Sequence, residues 1–374
     1  MTTIHPFDPP RRLLLGPGPS EVAPAVLAAL GRPTIGHLDP AFLGLMDELR
    51  AMLRDAFETT NALTLPMSGT GSAGMETVFV NLIEAGERVV VGVHGVFGRR
   101  MAEVARRAGA DVVTVEAAWG TPLDPDAVRD AARAHGAKLI AVVHAETSTG
   151  VVIDLAPYRA ICDELGALLV VDAVTSLGGV PVGVDRVGID AVYSGTQKCL
   201  SCPPGLAPVS LSAAAEARLT ARKSPVASWY LDLTLIRQYW GEARVYHHTA
   251  PINMLYGLHE ALRLLHVEGL ATRVARHHDV AQALYRGLDA LGLEPLVAAP
   301  HRLAPLTTVK VPAGVDEARV RRHMLTHFGV EIGGGLGPLA GKVWRIGLMG
   351  HGATTVSVTT CLAALEDALR DARG

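Results

Sequence analysis

The chain has 374 residues, of which 49% are hydrophobic and 19% charged, with a formal net charge of -3. This balance is typical of a compact globular protein of two domains, and it argues against a disordered chain and against nucleic acid or an anionic membrane as a partner. No apolar run approaches the roughly 18 residues that cross a bilayer, and no export signal opens the chain, so the sequence favours a cytoplasmic protein.

Strand and helix patterns alternate through most of the chain. Three leucines before a Gly-Pro-Gly-Pro turn predict a short buried strand at 13–15, and apolar spacing predicts an amphipathic helix over 40–57. From residue 63 on, runs of Val, Ile and Leu between helical patterns predict a largely parallel sheet that is buried on both faces. The predicted strands are 63–67, 88–93, 111–116, 139–144, 167–172, 191–194 and 208–211, and the helices between them are 73–83, 96–108, 125–134 and 155–165.

The last part of the chain predicts a smaller α+β unit. Long helices around 251–292 precede strands at 306–311 and 343–348 and helices at 317–327 and 356–372. The predicted division is an N-terminal arm over 1–15, a large domain over 16–268 and a small C-terminal domain over 269–374.

Lys198 is a candidate nucleophile. It follows an apolar run over 189–193 and precedes a turn at 202–205, which places it just beyond the end of a buried strand. Poor hydration there disfavours the charged ammonium and leaves an amine that attacks a carbonyl, as a Schiff-base lysine must. The other four lysines of the chain have settings that solvent explains easily: Lys138, Lys223, Lys310 and Lys342.

Asp172 ends the most apolar strand of the chain, 168–171. A buried carboxylate needs a cation or hydrogen-bond donors, so Asp172 either caps the turn near Ser176 or serves a ligand. In a parallel sheet, strands ending at Asp172 and near Lys198 bring both side chains to the carboxyl edge, where ligands bind. A carboxylate for a pyridinium nitrogen and a lysine for an imine are what pyridoxal phosphate requires of a protein.

Residues 69–74 match the pattern G-x-G-x-x-G after a predicted strand and at the start of a predicted helix. A nicotinamide dinucleotide site is therefore an alternative. That site also needs an acidic residue at the end of the next strand, which closes on Val93 and His94 instead. On either interpretation, the backbone N–H groups at this helix start suit a phosphate.

Two further features of the sequence are a pair of cysteines and an arginine in an apolar strand. Cys199 and Cys202 form one C-x-x-C pair without a second pair or a suitably placed His, so the sequence does not predict a metal site. Arg345 stands in an apolar strand. Its partner there is either an internal carboxylate or the carboxylate of a substrate, held by two parallel hydrogen bonds.

Several motifs occur together in the order that a known family shows. They are Gly16-Pro17-Gly18-Pro19, Ser68-Gly69-Thr70-Gly71, Ser148-Thr149-Gly150, Val171-Asp172-Ala173-Val174-Thr175-Ser176, Tyr193-Ser194-Gly195-Thr196-Gln197-Lys198, Tyr246-His247-His248-Thr249 and Gly333-Gly334-Gly335-Leu336-Gly337-Pro338. Over almost the whole chain, this series resembles the class V pyridoxal-phosphate aminotransferases, specifically the alanine–glyoxylate and serine–pyruvate aminotransferase group.

The resemblance implies an α/β protein of PLP-dependent transferase fold type I, with a mostly parallel seven-stranded sheet in the large domain. It implies a homodimer with shared active sites that transfers the amino group of alanine or serine to glyoxylate or pyruvate. Lys198 is expected to hold pyridoxal 5'-phosphate as an internal aldimine, and Asp172 to pair with its ring nitrogen. The other implied contacts are Thr70, Gly71 and Gln197 to the phosphate, Tyr246 and Thr249 to the phosphate from the other subunit, Thr147 to the ring oxygen, and Arg345 to the substrate carboxylate.

Three positions depart from the family pattern. Phe97 stands where better-known relatives have a Trp stacked on the cofactor ring, Ser72 where some have a His, and Thr147 where a Ser is usual. Phe97 keeps an apolar face for stacking but lacks the indole N–H donor, and Ser72 completes the expected cofactor-binding set.

The alternative functions are transamination with another small donor (2-aminoethylphosphonate or pyridoxamine), a PLP lyase or desulfurase, and a nicotinamide enzyme. A desulfurase needs a reactive cysteine on a late mobile loop, whereas Cys361 falls in the last predicted helix.

Overall fold

The computed structural model describes residues 5–373. Its strands are β1 (Leu13–Leu14), β2 (Leu63–Ser68), β3 (Arg88–Val93), β4 (Asp111–Glu116), β5 (Leu139–Val143), β6 (Ala145–Glu146), β7 (Val151–Val152), β8 (Leu168–Asp172), β9 (Ala191–Tyr193), β10 (Leu206–Leu211), β11 (Leu306–Lys310), β12 (Val330–Glu331), β13 (Gly333–Gly334) and β14 (Val343–Gly347).

The helices of the described chain lie mostly between these strands. They are α1 (Pro24–Leu30), α2 (Pro40–Phe57), α3 (Gly71–Leu82), α4 (Val96–Arg107), α5 (Pro125–His135), α6 (Ala156–Leu165), α7 (Val184–Val187), α8 (Ala213–Thr220), α9 (Leu233–Trp240), α10 (Ile252–Glu268), α11 (Leu270–Ala290), α12 (Glu317–Phe328) and α13 (Thr355–Arg373). None of the helices within residues 5–373 is both long and apolar enough to cross a membrane.

Local sequence signals set the bounds of α2, and the predicted helix over 40–57 is confirmed. The Asp39 carboxylate accepts a hydrogen bond from the Ala41 N–H at 2.8 Å, and Pro40 occupies the first helical position. Both are strong helix-start signals, because the first N–H groups have no partner inside the helix. The helix ends where Glu58 takes a left-handed conformation with a φ of 55°.

The large sheet has seven strands in the order β2-β10-β9-β8-β5-β3-β4. The pairs from β9 to β4 are all parallel, whereas β10 runs antiparallel to both of its neighbours, β2 and β9. The prediction of a mostly parallel seven-stranded sheet is therefore confirmed. Asp172 is in register with Tyr193 on the next strand, so β8 and β9 end at the same edge.

Helix α3 lies close against this sheet because of one glycine. A Cβ atom on Gly74 would lie 3.0 Å from the Cβ of Ala207 and 3.2 Å from that of Tyr193. A larger residue would push the helix outward. The close approach places the N-terminus of α3 beside the residues that follow β8 and β9.

The core consists of two large hydrophobic clusters. One surrounds the seven-stranded sheet, and the other joins α11, α12 and α13 to the small antiparallel sheet β11-β14-β13. Strand β1 pairs in parallel with β12, and Leu15 is fully buried in the second cluster. Residues 13–15 of the predicted arm therefore pack on the C-terminal unit of their own chain, and residues 1–4 of that arm lie outside the described residues. Gly269 separates α10 from α11, at the boundary that we propose between the two domains.

Candidate active site

Lys198 lies in the loop after β9 and is 8% exposed. Its ammonium donates a hydrogen bond to the carbonyl oxygen of Pro17 in the N-terminal Gly-Pro-Gly-Pro turn. Burial, together with the nearby positive charge of Arg345, lowers the pKa of Lys198 to about 8. A lowered pKa increases the fraction of free amine near neutral pH, which is what a nucleophilic lysine needs.

Asp172 is the last residue of β8 and is 3% exposed. One carboxylate oxygen accepts from the Val174 N–H at 2.8 Å, and the other accepts from the Tyr193 hydroxyl at 2.9 Å. Burial raises the pKa of Asp172 to about 6, although both hydrogen bonds and the charge of Lys198 oppose the rise. Sequence reasoning missed Tyr193, because only the register between β8 and β9 brings its hydroxyl to the carboxylate.

The N-terminus of α3 lies beside the loop that carries Lys198. Thr70 precedes the helix without capping it through its side chain, and Thr70 and Ser72 are both exposed. Gly71 faces Gly195: a Cβ on Gly71 would lie 3.5 Å from the Gly195 Cα. The side-chain oxygen of Gln197 is buried and has no hydrogen-bond partner. Free N–H groups at a helix start form an anion-binding corner.

Phe97 stands in the first turn of α4 and is half-buried. The Arg100 guanidinium lies over its ring, 5.0 Å from the centroid. A cation over one face of an aromatic ring leaves the opposite face for another contact. The predicted stacking on the cofactor therefore requires the face that Arg100 leaves open.

Arg345 and Thr147 are joined directly. The guanidinium Nη1 donates to the Thr147 carbonyl at 3.2 Å, and Nε donates to the Gly334 carbonyl at 2.7 Å. Arg345 is 6% exposed, and burial lowers its pKa. None of the ion pairs found within residues 5–373 includes Arg345, so no internal carboxylate of the described chain bonds to it directly, although the charge of the buried Glu146 acts to raise its pKa.

Tyr246 and Thr249 make no hydrogen bond with Lys198 or Asp172 in the described chain. Both are exposed, and their side-chain oxygens are 3.3 Å from each other. The neighbouring His248 is 2.8 Å from the Ser68 hydroxyl, while the Tyr246 ring packs against His37. The described contacts of one chain do not bring these two residues to Lys198 or Asp172.

The cysteines of the described chain are buried free thiols. Burial raises the pKa of Cys199, Cys202 and Cys361 to about 12 each, so a thiolate is disfavoured at all three. Cys361 lies inside α13. The thiol that a desulfurase would use is therefore held in a buried helix rather than on a loop.

Known proteins resemble this chain over nearly its whole length. A model of the aminotransferase class-V family matches residues 25–342. Alanine–glyoxylate aminotransferase of Oryctolagus cuniculus is 43% identical over 369 residues, covering 98% of this chain and 94% of that protein. (S)-Ureidoglycine–glyoxylate transaminase of Bacillus subtilis is 40% identical, covering 96% and 91%. The crystal structure of alanine–glyoxylate aminotransferase from Nostoc sp. has a TM-score of 0.97 at 48% identity, covering 99% and 98%.

The residues present fit pyridoxal 5'-phosphate, the cofactor of this family. A buried amine at Lys198 suits its aldehyde, the carboxylate of Asp172 suits its ring nitrogen, and the anion-binding corner at α3 suits its phosphate. The family match therefore argues against a nicotinamide site at the G-x-G-x-x-G segment. The predicted fold, cofactor and enzyme class are confirmed by the family match and by the related structures. On these grounds the chain belongs to the class-V aminotransferases.

Proposed function

We propose that this aminotransferase transfers the amino group of alanine or serine to a small 2-oxo acid, glyoxylate before pyruvate. One observation carries the proposal. Arg345 is a buried guanidinium that donates only to backbone carbonyls within the described chain. A desolvated cation that is hydrogen-bonded to no carboxylate is costly, and a substrate carboxylate that accepts from its remaining donors lowers that cost.

The surroundings of Arg345 favour a small substrate. It lies across the sheet from Gly333, and its Nε donates to the Gly334 carbonyl, so this wall of the site is backbone. The other expected neighbours, Ser72 and Phe97, offer a small hydroxyl and an apolar ring. No side chain among these is suited to the second carboxylate of aspartate or glutamate.

The names of the relatives support the acceptor more than the donor. The proteins from Oryctolagus cuniculus and Nostoc sp. are named for alanine and glyoxylate, and that from Bacillus subtilis for ureidoglycine and glyoxylate. Glyoxylate is common to all three. We therefore propose glyoxylate as the acceptor and retain ureidoglycine as a competing donor.

Each site residue has a proposed task. Lys198 binds the cofactor and then moves the proton at the substrate α-carbon, because an amine with a pKa near 8 both accepts and returns a proton. Asp172 holds the proton at the ring nitrogen. Thr70, Gly71, Ser72 and Gln197 bind the phosphate, Thr147 the ring oxygen, and Phe97 the ring face. When bound, pyridoxal phosphate supplies the electron sink for the reaction.

A donor panel tests the proposal. We would measure kcat/KM for alanine, serine, aspartate, glutamate, (S)-ureidoglycine and 2-aminoethylphosphonate, each with glyoxylate and with pyruvate. Alanine or serine with glyoxylate should rank first, and the two acidic amino acids should rank low. Preference for 2-aminoethylphosphonate, which has no α-carboxylate, would contradict the role of Arg345. Preference for ureidoglycine would change the donor and leave that role intact.

Arg345→Lys should lower kcat/KM for every donor that has an α-carboxylate by about 10- to 100-fold. An ammonium keeps the charge but cannot form two parallel hydrogen bonds, and each charge-assisted bond contributes about 1.5–3 kcal/mol. The matched control is Arg319→Lys, because Arg319 pairs with Asp371 at the surface of the C-terminal unit. Equal loss in both variants would show that the effect does not come from the substrate site.

We also propose that the working enzyme is a homodimer. An exposed aromatic surface lies around residues 229–246, where Trp229 is 62% exposed, Tyr230 43% and Tyr246 55%. Exposed apolar patches of this kind mark protein interfaces. A second copy packed there would cover the rings and bring Tyr246 and Thr249 to the phosphate of its neighbour.

A further inference from the structure

The carboxylate of Glu146 is fully buried, and four hydrogen bonds surround it. One oxygen accepts from the Ser148 N–H at 3.0 Å and from the Ser148 hydroxyl at 2.6 Å. The other accepts from the Phe97 N–H at 3.0 Å and from the Gly98 N–H at 3.3 Å. Two of the four donors thus belong to the first turn of α4, about fifty positions away in the chain.

Glu146 and Ser148 together cap α4 from outside that helix. The Val96 N–H donates to the Ser148 hydroxyl at 2.9 Å, so the first three N–H groups of α4 are all bonded to these two side chains. The residue before the helix is Gly95, which has no side chain of its own to cap with. A Cβ on Gly95 would lie 2.4 Å from the Glu146 carboxyl carbon and from the Ser148 hydroxyl oxygen. The glycine leaves the space that the distant cap fills.

The same short segment also reaches the substrate side of the site. Thr147 lies between the two capping residues, and its carbonyl accepts the hydrogen bond from Arg345. A shift of Glu146 therefore moves the backbone that holds Phe97 and the backbone that holds Arg345 at the same time.

We infer that Glu146 is a positioning residue of the active site: through its bonds to Phe97, Gly98 and Ser148 it fixes the Phe97 ring and the Thr147 backbone relative to each other. This inference rests on the proposed roles of Phe97 and Thr147 as cofactor contacts. Burial raises the pKa of Glu146, and the hydrogen bonds from Ser148, Gly98 and Phe97 oppose that rise. A carboxylate accepts from donors on both oxygens, and this one lies at the positive end of the α4 dipole.

Glu146→Gln separates this role from simple packing. Glutamine has nearly the same shape, but its NH₂ group cannot accept from the donors that now face one of the oxygens. At least two of the four bonds are lost or reversed, while the volume of the buried side chain is kept. Ser148→Ala removes the hydroxyl that donates to Glu146 and accepts from the Val96 N–H. It provides a second, independent variant.

The test compares these two variants with Asp190→Asn. Asp190 is also a buried carboxylate. It accepts from the Leu169 N–H at 2.8 Å, from the Ser212 hydroxyl at 3.1 Å and from the Arg159 guanidinium at 2.6 Å. It stands just before β9, at the edge of the sheet opposite to the site. The readouts are the dissociation constant of pyridoxal phosphate from the apoprotein, the circular-dichroism band of the bound cofactor, and the thermal unfolding midpoint.

We expect Glu146→Gln and Ser148→Ala to raise the cofactor dissociation constant about tenfold, which is the loss of about one charge-assisted hydrogen bond, and to weaken the dichroism band. Asp190→Asn should lower the unfolding midpoint without changing either cofactor property. If Glu146→Gln leaves both properties unchanged and only lowers the midpoint, the inference is overturned. If that variant does not fold, Ser148→Ala decides by the same criteria.

A double-mutant cycle separates this inference from the proposed site itself. If Glu146 acts through Phe97, Glu146→Gln should weaken cofactor binding much less in a Phe97→Leu background than in the wild type. Additive effects would overturn the coupling. A Phe97→Leu variant with unchanged cofactor binding would instead refute the role proposed for Phe97. This experiment does not use the donor panel, so its result does not depend on which substrate the enzyme prefers.

Discussion

Lys198 and Asp172 are two buried groups of the candidate site whose pKa values move toward neutrality from opposite sides. Burial is the main cause for both: it lowers the pKa of Lys198 to about 8 and raises that of Asp172 to about 6. Both shifts disfavour the charged form in the folded protein, so each group costs stability. Costs of this kind are typical of catalytic sites, where function rather than stability selects the residue.

Lys198→Ala should abolish turnover, with a loss of more than about 10⁴-fold, because one side chain both binds the cofactor and moves the α-proton. Lys310→Ala is the matched control, since Lys310 pairs with Glu294 at the surface. Steady-state rates with alanine and glyoxylate measure the loss. Borohydride reduction of the holoenzyme should attach the cofactor to the peptide that contains Lys198, and labelling of any other lysine would contradict the assignment.

Asp172→Asn should stabilise the cofactor-free protein at neutral pH while it removes activity from the loaded enzyme. The folded-state pKa of Asp172 is raised from 3.8 to about 6. The folded state therefore binds the proton more tightly than the unfolded state, and wild-type stability falls as the pH rises through this window. Above the window, the ionised group costs roughly 3 kcal/mol, at 1.36 kcal/mol per pKa unit.

Urea unfolding of both apoproteins at about pH 4.5 and about pH 7.5 measures this effect. The Asn variant should gain stability relative to the wild type between the two values, because asparagine has no charge to bury. A difference between the variants that does not change with pH would show that Asp172 is not the titrating group.

At the scale of elements, the Gly-Pro-Gly-Pro turn at 16–19 lies over the lysine. Its Pro17 carbonyl accepts from Lys198, and its Gly18 leaves no room for a side chain: a Cβ there would lie 2.7 Å from the Lys198 Cδ and Nζ. The turn continues from β1, which pairs with β12 of the C-terminal unit. A motif that predicts only a rigid corner from its sequence thus lies against the candidate nucleophile, and we propose it as one wall of the active site.

Gly18→Ala should reduce kcat strongly, because the new methyl group displaces the amine of Lys198. It also costs about 1 kcal/mol or more from the backbone, since Gly18 has a φ of +105°. Gly292→Ala is the control: its φ is +68°, and nothing lies within 4 Å of the added atom. Both variants should lose stability, but only Gly18→Ala should lose more activity than its loss of stability explains. If the two variants are equally stable and equally active, the turn is not part of the active site.

At the scale of the whole molecule, the predicted cofactor contacts include two exposed residues that we assign to the other subunit. Residues that precede or follow β2, β5, β8 and β9 come together at one edge of the sheet, whereas Tyr246 and Thr249 remain exposed. The homodimer that we propose would cover these two residues, because a closed pair of identical subunits brings the same surface of each chain to the other.

Mixing two inactive variants should restore activity if the site is shared. Lys198→Ala lacks the nucleophile, and Thr249→Arg blocks the phosphate pocket of the neighbour. In a mixed dimer, one site has Lys198 from one chain and Thr249 from the other, and is intact. Random exchange makes half the dimers mixed, so about a quarter of wild-type activity should return. Each variant alone is the control, and no recovery after verified subunit exchange would argue for a site within one chain.

Local patterns in the sequence determined much of the fold and the chemical centre. Apolar periodicity predicted α2 at both ends, and apolar runs predicted β3 and β4 with their observed bounds, because these patterns depend on residues that are close together in the sequence. Lys198 and Asp172 were identifiable because an ionisable residue at the end of an apolar strand needs a reason to be there. Short elements such as α1 and α9 were missed, since seven or eight residues give too little periodicity.

The tertiary structure decided what joins residues that are distant in the chain. The sequence by itself did not reveal that β10 runs antiparallel, that β1 pairs with β12, or that Tyr193 donates to Asp172. It left the partner of Arg345 open between an internal carboxylate and a substrate, and only the folded chain showed the backbone partners. Glu146 carried no local signal at all, because its role depends on a helix start about fifty residues away. Strand and helix propensity is a property of neighbours in sequence, whereas the pairing of buried polar groups is a property of packing, which the sequence specifies only through the whole fold.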